Sequence, residues 1–147
     1  MKKCAVIGSI NMDMVVGTPR FPQPGESITG SVFRTVPGGK GANQAVAAAR
    51  LGGNVSFVAK IGNDHFGSRS IEQYKAEGID VAQVTVDNGH PSGVALIMVD
   101  SHGENCIAVA SGANARLMPA DIDRAKGGAT DAGGIVVFGI PDEFSSS

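Results

Sequence analysis

Residues 3–10 form a near-continuous apolar run bounded by polar residues, residues 134–140 a short fully apolar one, and residues 54–61 read as a further strand. A half-exposed strand alternates polar and apolar side chains, whereas a strand covered on both faces is apolar throughout, so these runs predict central strands of a parallel sheet. Parallel neighbours need a crossover, and the intervening sequence supplies it. Residues 42–50 are alanine-rich, free of proline and followed by Gly52-Gly53, which predicts a helix with a glycine stop. A turn at Gly62-Asn63-Asp64 leads to a second predicted helix over 68–77, ended by Gly78, and Pro119 opens a third over 119–126. Strands alternating with helices predict the α/β class.

Two stretches depart from that rhythm. Pro19, Pro22, Pro24 and Gly25 punctuate residues 11–37, and residues 27–36 alternate in the manner of a half-exposed strand. Residues 92–100 and 105–110 read as a hairpin around Ser101-His102-Gly103-Glu104. Together they predict a small separate sheet, built from about residues 12–36 and 92–110, beside the α/β core.

The chain has 147 residues, a net charge of −2 and 18% charged residues, which fits one ordinary domain and provides no field to attract nucleic acid or an anionic membrane. Gly8, Ser9 and Asn11 interrupt the first apolar run too early for a signal peptide, and no apolar span of roughly 20 residues follows, so a cytoplasmic location is expected. Cys4 and Cys106 stand far apart in no metal or redox spacing and are expected to be buried thiols. His65, His90 and His102 fall in three different turns, and with Tyr74 the only Tyr and no Trp there is no aromatic ladder for stacking bases.

The chemistry concentrates in two places. Pro37-Gly38-Gly39-Lys40-Gly41-Ala42-Asn43-Gln44-Ala45 puts glycines at a helix start, where the main chain can approach a ligand and free N–H groups point outward. It is no nucleoside triphosphate loop, because Lys40 is followed by Gly41 where Ser or Thr is needed, and no dinucleotide fingerprint, because the glycines do not directly follow the first strand. A glycine-rich helix start with a solvated lysine would look the same. Gly8-Ser9-Ile10-Asn11-Met12-Asp13 carries an amide and a carboxylate off the carboxyl end of the first strand, where open α/β sheets bind ligands. A carboxylate accepts from a vicinal diol and an amide both donates and accepts, which suits a sugar; turn residues bonding their own backbone are the alternative.

Taken together these residues resemble the ribokinase family of carbohydrate kinases. The glycine-rich helix start followed by Gly52 and Gly62, Ser9-Ile10-Asn11-Met12-Asp13, Pro24-Gly25-Glu26, Gly62-Asn63-Asp64 with Phe66-Gly67, and Gly103-Glu104-Asn105 with Gly112-Ala113-Asn114 follow the family's order and separation over residues 3–140. The resemblance implies an incomplete ribokinase-like fold, a partial parallel sheet with flanking helices plus a small β-sheet lid. It implies that Asp13 holds ring hydroxyls, that Asn11 and Asn43 bond further hydroxyls, that Gly39 and Lys40 line the pocket, and that Ala95, Ile97 and Val109 face the ring from the lid. It further implies a homodimer joined through lid strands.

The reaction implied is ATP-dependent phosphorylation of D-ribose to ribose 5-phosphate, with Mg²⁺ and a monovalent cation such as K⁺ serving the complete enzyme. Family members are longer and keep the nucleotide site and catalytic base in a Gly-Ala-Gly-Asp segment absent from this sequence, and Asp131-Ala132-Gly133-Gly134 only superficially resembles it. This chain is therefore expected to be the N-terminal, sugar-binding half, with no catalytic residue, no metal or nucleotide site, and no phosphoryl transfer by itself. A family glutamate that contacts the sugar has no clear counterpart in Pro141-Asp142-Glu143. The alternatives are a non-catalytic sugar-binding or oligomerisation module, or a kinase for fructose, a sugar acid or a nucleoside.

Overall fold

The computed structural model describes residues 3–129 and 135–139. The three predicted strands become β1 (Lys3–Gly8), β4 (Asn54–Gly62) and β8 (Ile135–Gly139), and they stand together in one four-stranded sheet of order β5-β4-β1-β8. All its pairings are parallel, with Val6 opposite Phe57 on one side and Val137 on the other. The edge strand β5 (Asp80–Asp87) was not foreseen, because its mixed sequence carries no sustained apolar run.

Both faces of this sheet are covered, which is why β1 and β4 are apolar at successive positions. Helices α1 (Lys40–Arg50) and α2 (His65–Ala76) close one face over Val6, Val55, Phe57 and Ala59, with the Tyr74 ring of α2 meeting Phe57 edge to face at 5.7 Å between centroids. The opposite face carries α3 (Pro119–Ala129), whose Ala125 packs on Ile7 and Val58. Lys60 of β4 reaches Asp121 of α3 at 2.9 Å, and Arg124 meets the same carboxylate. Burial alone would push the Asp121 carboxyl up, but the Met118 N–H and the Lys60 and Arg124 cations together hold it below the usual range.

The second sheet has the order β3-β2-β6-β7, from β3 (Phe33–Gly38), β2 (Asn11–Gly17), β6 (Gly93–Val99) and β7 (Asn105–Ala110). The small separate sheet and the 92–110 hairpin are as expected, but its first half is not one alternating stretch. Strand structure occupies Asn11–Gly17 and Phe33–Gly38, and residues 18–32 between them form turns and irregular chain. The four prolines and Gly25 explain this, since proline removes ladder donors and fixes φ. Arg20 and Glu26 brace this excursion with a paired hydrogen bond.

Helix starts differ too. α1 begins at Lys40, ahead of the expected residue 42, and α2 at His65, ahead of 68, because Asp64 accepts from the Gly67 N–H at 2.9 Å and caps it. No helix among the described residues is long and apolar enough to cross a membrane. Cys106 is exposed on β7 and Cys4 half-buried, a correction to the expectation of buried thiols; β7 is an edge strand with neither face covered. The segments Asp131-Ala132-Gly133-Gly134 and Pro141-Asp142-Glu143 lie outside the described residues.

Candidate functional site

The junction of the two sheets is made by glycines that permit backbone contact. Gly41, in the first turn of α1, lies against the end of β1, where a β-carbon would come within 2.7 Å of Gly8 Cα. Gly39 adopts φ +105°, open only to glycine, and a β-carbon there would meet the Ser9 carbonyl oxygen at 2.6 Å. The Ala42 N–H donates to that same Ser9 carbonyl at 3.1 Å. The start of α1 is thus held against the β1–β2 turn, and Asn11 and Asp13 leave that turn on one face of β2.

Register then defines the face. Asp13 stands opposite Val36 on β3 and Ala95 on β6, and Ala95 opposite Val109 on β7, giving one row across the sheet: Val36, Asp13, Ala95, Val109. Ile97 belongs to the next row, with Val15 and Ile107. Asn11 stands opposite Gly38 and Gly93. The Asp13 carboxylate rests on Gly38, where a β-carbon would come within 2.6 Å of Asp13 Cγ. Partial burial pushes the Asp13 carboxyl above its ordinary range.

Asn11 is tied from behind. Asn114, in a short 3-10 helix (Gly112–Arg116), is buried; its Oδ1 accepts from the Ile10 N–H at 2.9 Å, and its Nδ2 donates to the Ile10 carbonyl and to Asn11 Oδ1, both at 2.8 Å. A β-carbon at Gly93 would collide with Asn114 Nδ2 and Asn11 Oδ1.

The root of β6 is clamped by Asp64, whose carboxylate accepts from the Ser92 N–H at 2.8 Å and the Ser92 hydroxyl at 2.7 Å. Burial raises the Asp64 carboxyl, but those donors with the Gly67 N–H outweigh it and hold it low. Tyr74 points inward from α2 with its hydroxyl buried and outside conventional hydrogen-bond geometry, and burial, with the Asp13 charge adding, pushes its pKa up.

Asn11, Asp13, Gly39, Ala95 and Val109 are therefore gathered around one sheet face and the α1 start, with Ile97 one row further out. Lys40 is the exposed first residue of α1. Asn43 is exposed and lines a groove of about 610 Å³ with Ala42, Tyr74 and Val36, the last of which stands opposite Asp13. A second cavity of about 620 Å³ lies at the far end of the second sheet, around Val15, Arg34 and Val99. Sequence reasoning gave no role to Gly93 or Asn114; the Gly112-Ala113-Asn114 motif was the available signal, but its contact with Asn11 spans the chain.

The sequence pattern described as pfkB family carbohydrate kinase matches residues 1–139. The chain belongs to this family. Among its relatives is a ribokinase of Bacillus subtilis (strain 168), 46% identical over 120 residues, a stretch that is 82% of this chain and 41% of that protein. The structure of ribokinase from Giardia lamblia superposes with a TM-score of 0.86 at 34% identity, covering 98% of this chain and 44% of that one. Arabidopsis thaliana ribokinase complexed with ribose and ATP gives a TM-score of 0.79 at 33% identity, over 96% of this chain and 46% of that one. This pfkB chain thus spans less than half the length of these relatives.

Proposed function

We propose that this chain carries the sugar-binding half and lid of an ATP-dependent, ribokinase-like kinase of the cytoplasm. The complete reaction moves the γ-phosphoryl group of ATP to O5 of D-ribose, releasing ADP and a proton from the attacking hydroxyl. The observation that carries this reading is the half-buried Asp13 carboxylate seated on Gly38, in one row with Ala95 and Val109 and two residues from Asn11.

Each group has a physical task. Asp13 accepts hydrogen bonds from ring hydroxyls, and its partial desolvation strengthens them. Asn11 and Asn43 bond further hydroxyls, and Gly39 with Lys40 line the same pocket at the α1 start. Ala95, Ile97 and Val109 form an apolar cover that keeps water from competing for the phosphoryl group. Among the described residues no group of three His, Cys, Asp or Glu side chains is placed to hold a metal ion. Magnesium, when bound to the nucleotide, would neutralise phosphate charge.

The exposed edge strand β7, with Ile107 and Val109 more than half exposed, supports a homodimer paired through the lids. Titrating D-ribose into ¹⁵N-labelled chain tests the reading: amide shifts should concentrate at Asn11, Asp13, Gly38 to Lys40 and Asn43. Shifts confined to other regions, or none, would contradict it.

A further inference from the structure

Main-chain groups of fixed sense assign both ends of the Asn114 carboxamide. The Ile10 N–H can only donate, so the atom 2.9 Å from it is Oδ1; the Ile10 carbonyl can only accept, so the atom 2.8 Å from it is Nδ2. That Nδ2 also lies 2.8 Å from Asn11, and a donor there requires an acceptor, which makes the facing Asn11 atom Oδ1. The Asn11 Nδ2, with its two N–H bonds, is consequently turned away from Asn114. Burial enforces the arrangement, because Asn114 is only 5% exposed and a mismatched amide pair in that setting leaves polar atoms unsatisfied. Gly93 belongs to the same device, since any β-carbon there would displace both amides.

We propose that Asn114 is a positioning residue that locks Asn11 as a hydrogen-bond donor toward the ligand. This rests on the sugar-binding reading of Asn11 and Asp13 and sharpens it: the β2 face presents one fixed donor, Asn11 Nδ2, beside one fixed acceptor, the Asp13 carboxylate. A ligand atom opposite Asn11 must accept and one opposite Asp13 must donate. Neighbouring hydroxyls satisfy both, whereas an ether or carbonyl oxygen satisfies only the first and an ammonium only the second. The pair therefore selects a polyol by the sense of its hydrogen bonds as well as by its shape.

The test is hydrogen exchange of the side-chain amides in ¹⁵N-labelled chain, together with ribose titration, for the wild type, Asn114→Asp and Asn11→Asp. In the ligand-free wild type the Asn114 Nδ2 protons should exchange slowly and those of Asn11 fast; the reverse overturns the proposal. In Asn114→Asp a carboxylate, which can only accept, should turn Asn11 around, slow its Nδ2 exchange and raise the ribose Kd about ten-fold. Unchanged Asn11 exchange or an unchanged Kd would overturn the proposal. If Asn114→Asp does not fold, Asn11→Asp decides: Asn114 stays slow, because a carboxylate still accepts from it, while ribose affinity falls by about the same factor. Retained affinity there contradicts the donor role. If the wild type itself takes up no ribose, the sugar reading fails, and exchange in the ligand-free chain still decides the orientation of Asn11.

Discussion

The Asp13 carboxylate lies directly against the α-carbon of Gly38, so near that a β-carbon would come within 2.6 Å of its Cγ. Gly38 is the floor that allows a carboxylate to stand at that point of the sheet. Gly38→Ala should swing Asp13 out of place by a χ1 rotation, with a stability cost of about 1 kcal/mol or less but a ribose affinity reduced about ten-fold or more. Calorimetric titration beside a thermal melt separates the two effects. Unchanged affinity would show that Asp13 does not need this seat.

Asp13 also sets a pH dependence. Burial raises its pKa in the folded chain above the unfolded value, so its contribution to stability is full below the unfolded pKa and is lost as pH rises through the folded one. At neutral pH the ionised group thus opposes folding. Asp13→Asn should raise Tm at pH 7, with the gain shrinking as pH falls through the raised pKa, and should weaken ribose about ten-fold or more by removing a charged acceptor. Wild-type affinity should fall over the same acidic range. A variant that binds as well as the wild type at pH 7 would remove Asp13 from the site.

Asp64 ties the start of α2 to the root of β6 through Ser92 and Gly67. Its folded pKa is lowered, so its stabilisation is present above the unfolded pKa and disappears as pH falls through the lower, folded one. Asp64→Ala should cost about 1–2 kcal/mol through the lost helix cap alone, and amide exchange should quicken at Gly67 and Ser92 together. Faster exchange at Gly67 only would mean that the clamp does not hold β6.

The lid edge carries a prediction about assembly. Ile107 is 52% exposed in the row next to Asp13, so Ile107→Lys should leave the fold intact while placing a charge in a lid-to-lid interface. Sedimentation should show the wild type as a dimer and the variant as a monomer. A monomeric wild type would contradict the paired-lid proposal.

The sequence made the core legible and the site only in part. Val6, with its apolar neighbours Ala5 and Ile7, announces a sheet covered on both faces, Val55 and Phe57 announce a strand, and the alanines of α1 announce a helix. β2 was hidden because Asn11, Met12 and Asp13 read equally as a turn, and β5 because Asp80, Gln83 and Asp87 dilute its apolar positions. Asn11 and Asp13 could be singled out by chemistry, but the seat of Asp13 on Gly38 and the tie from Asn114 depend on pairings about 25 and 103 residues apart, and no local pattern encodes those. Asn43 could be singled out by the same motif as Gly39, but its groove is completed by Val36 of β3 and Tyr74 of α2, which no local pattern announces.

The most direct test of the central claim is isothermal titration of the purified chain with D-ribose, repeated with Asp13→Ala. The account predicts saturable ribose heat from the wild type and the loss of most of that affinity in a variant whose melting profile is native. Equal ribose binding by the two proteins, or no binding by a folded wild type, would contradict it.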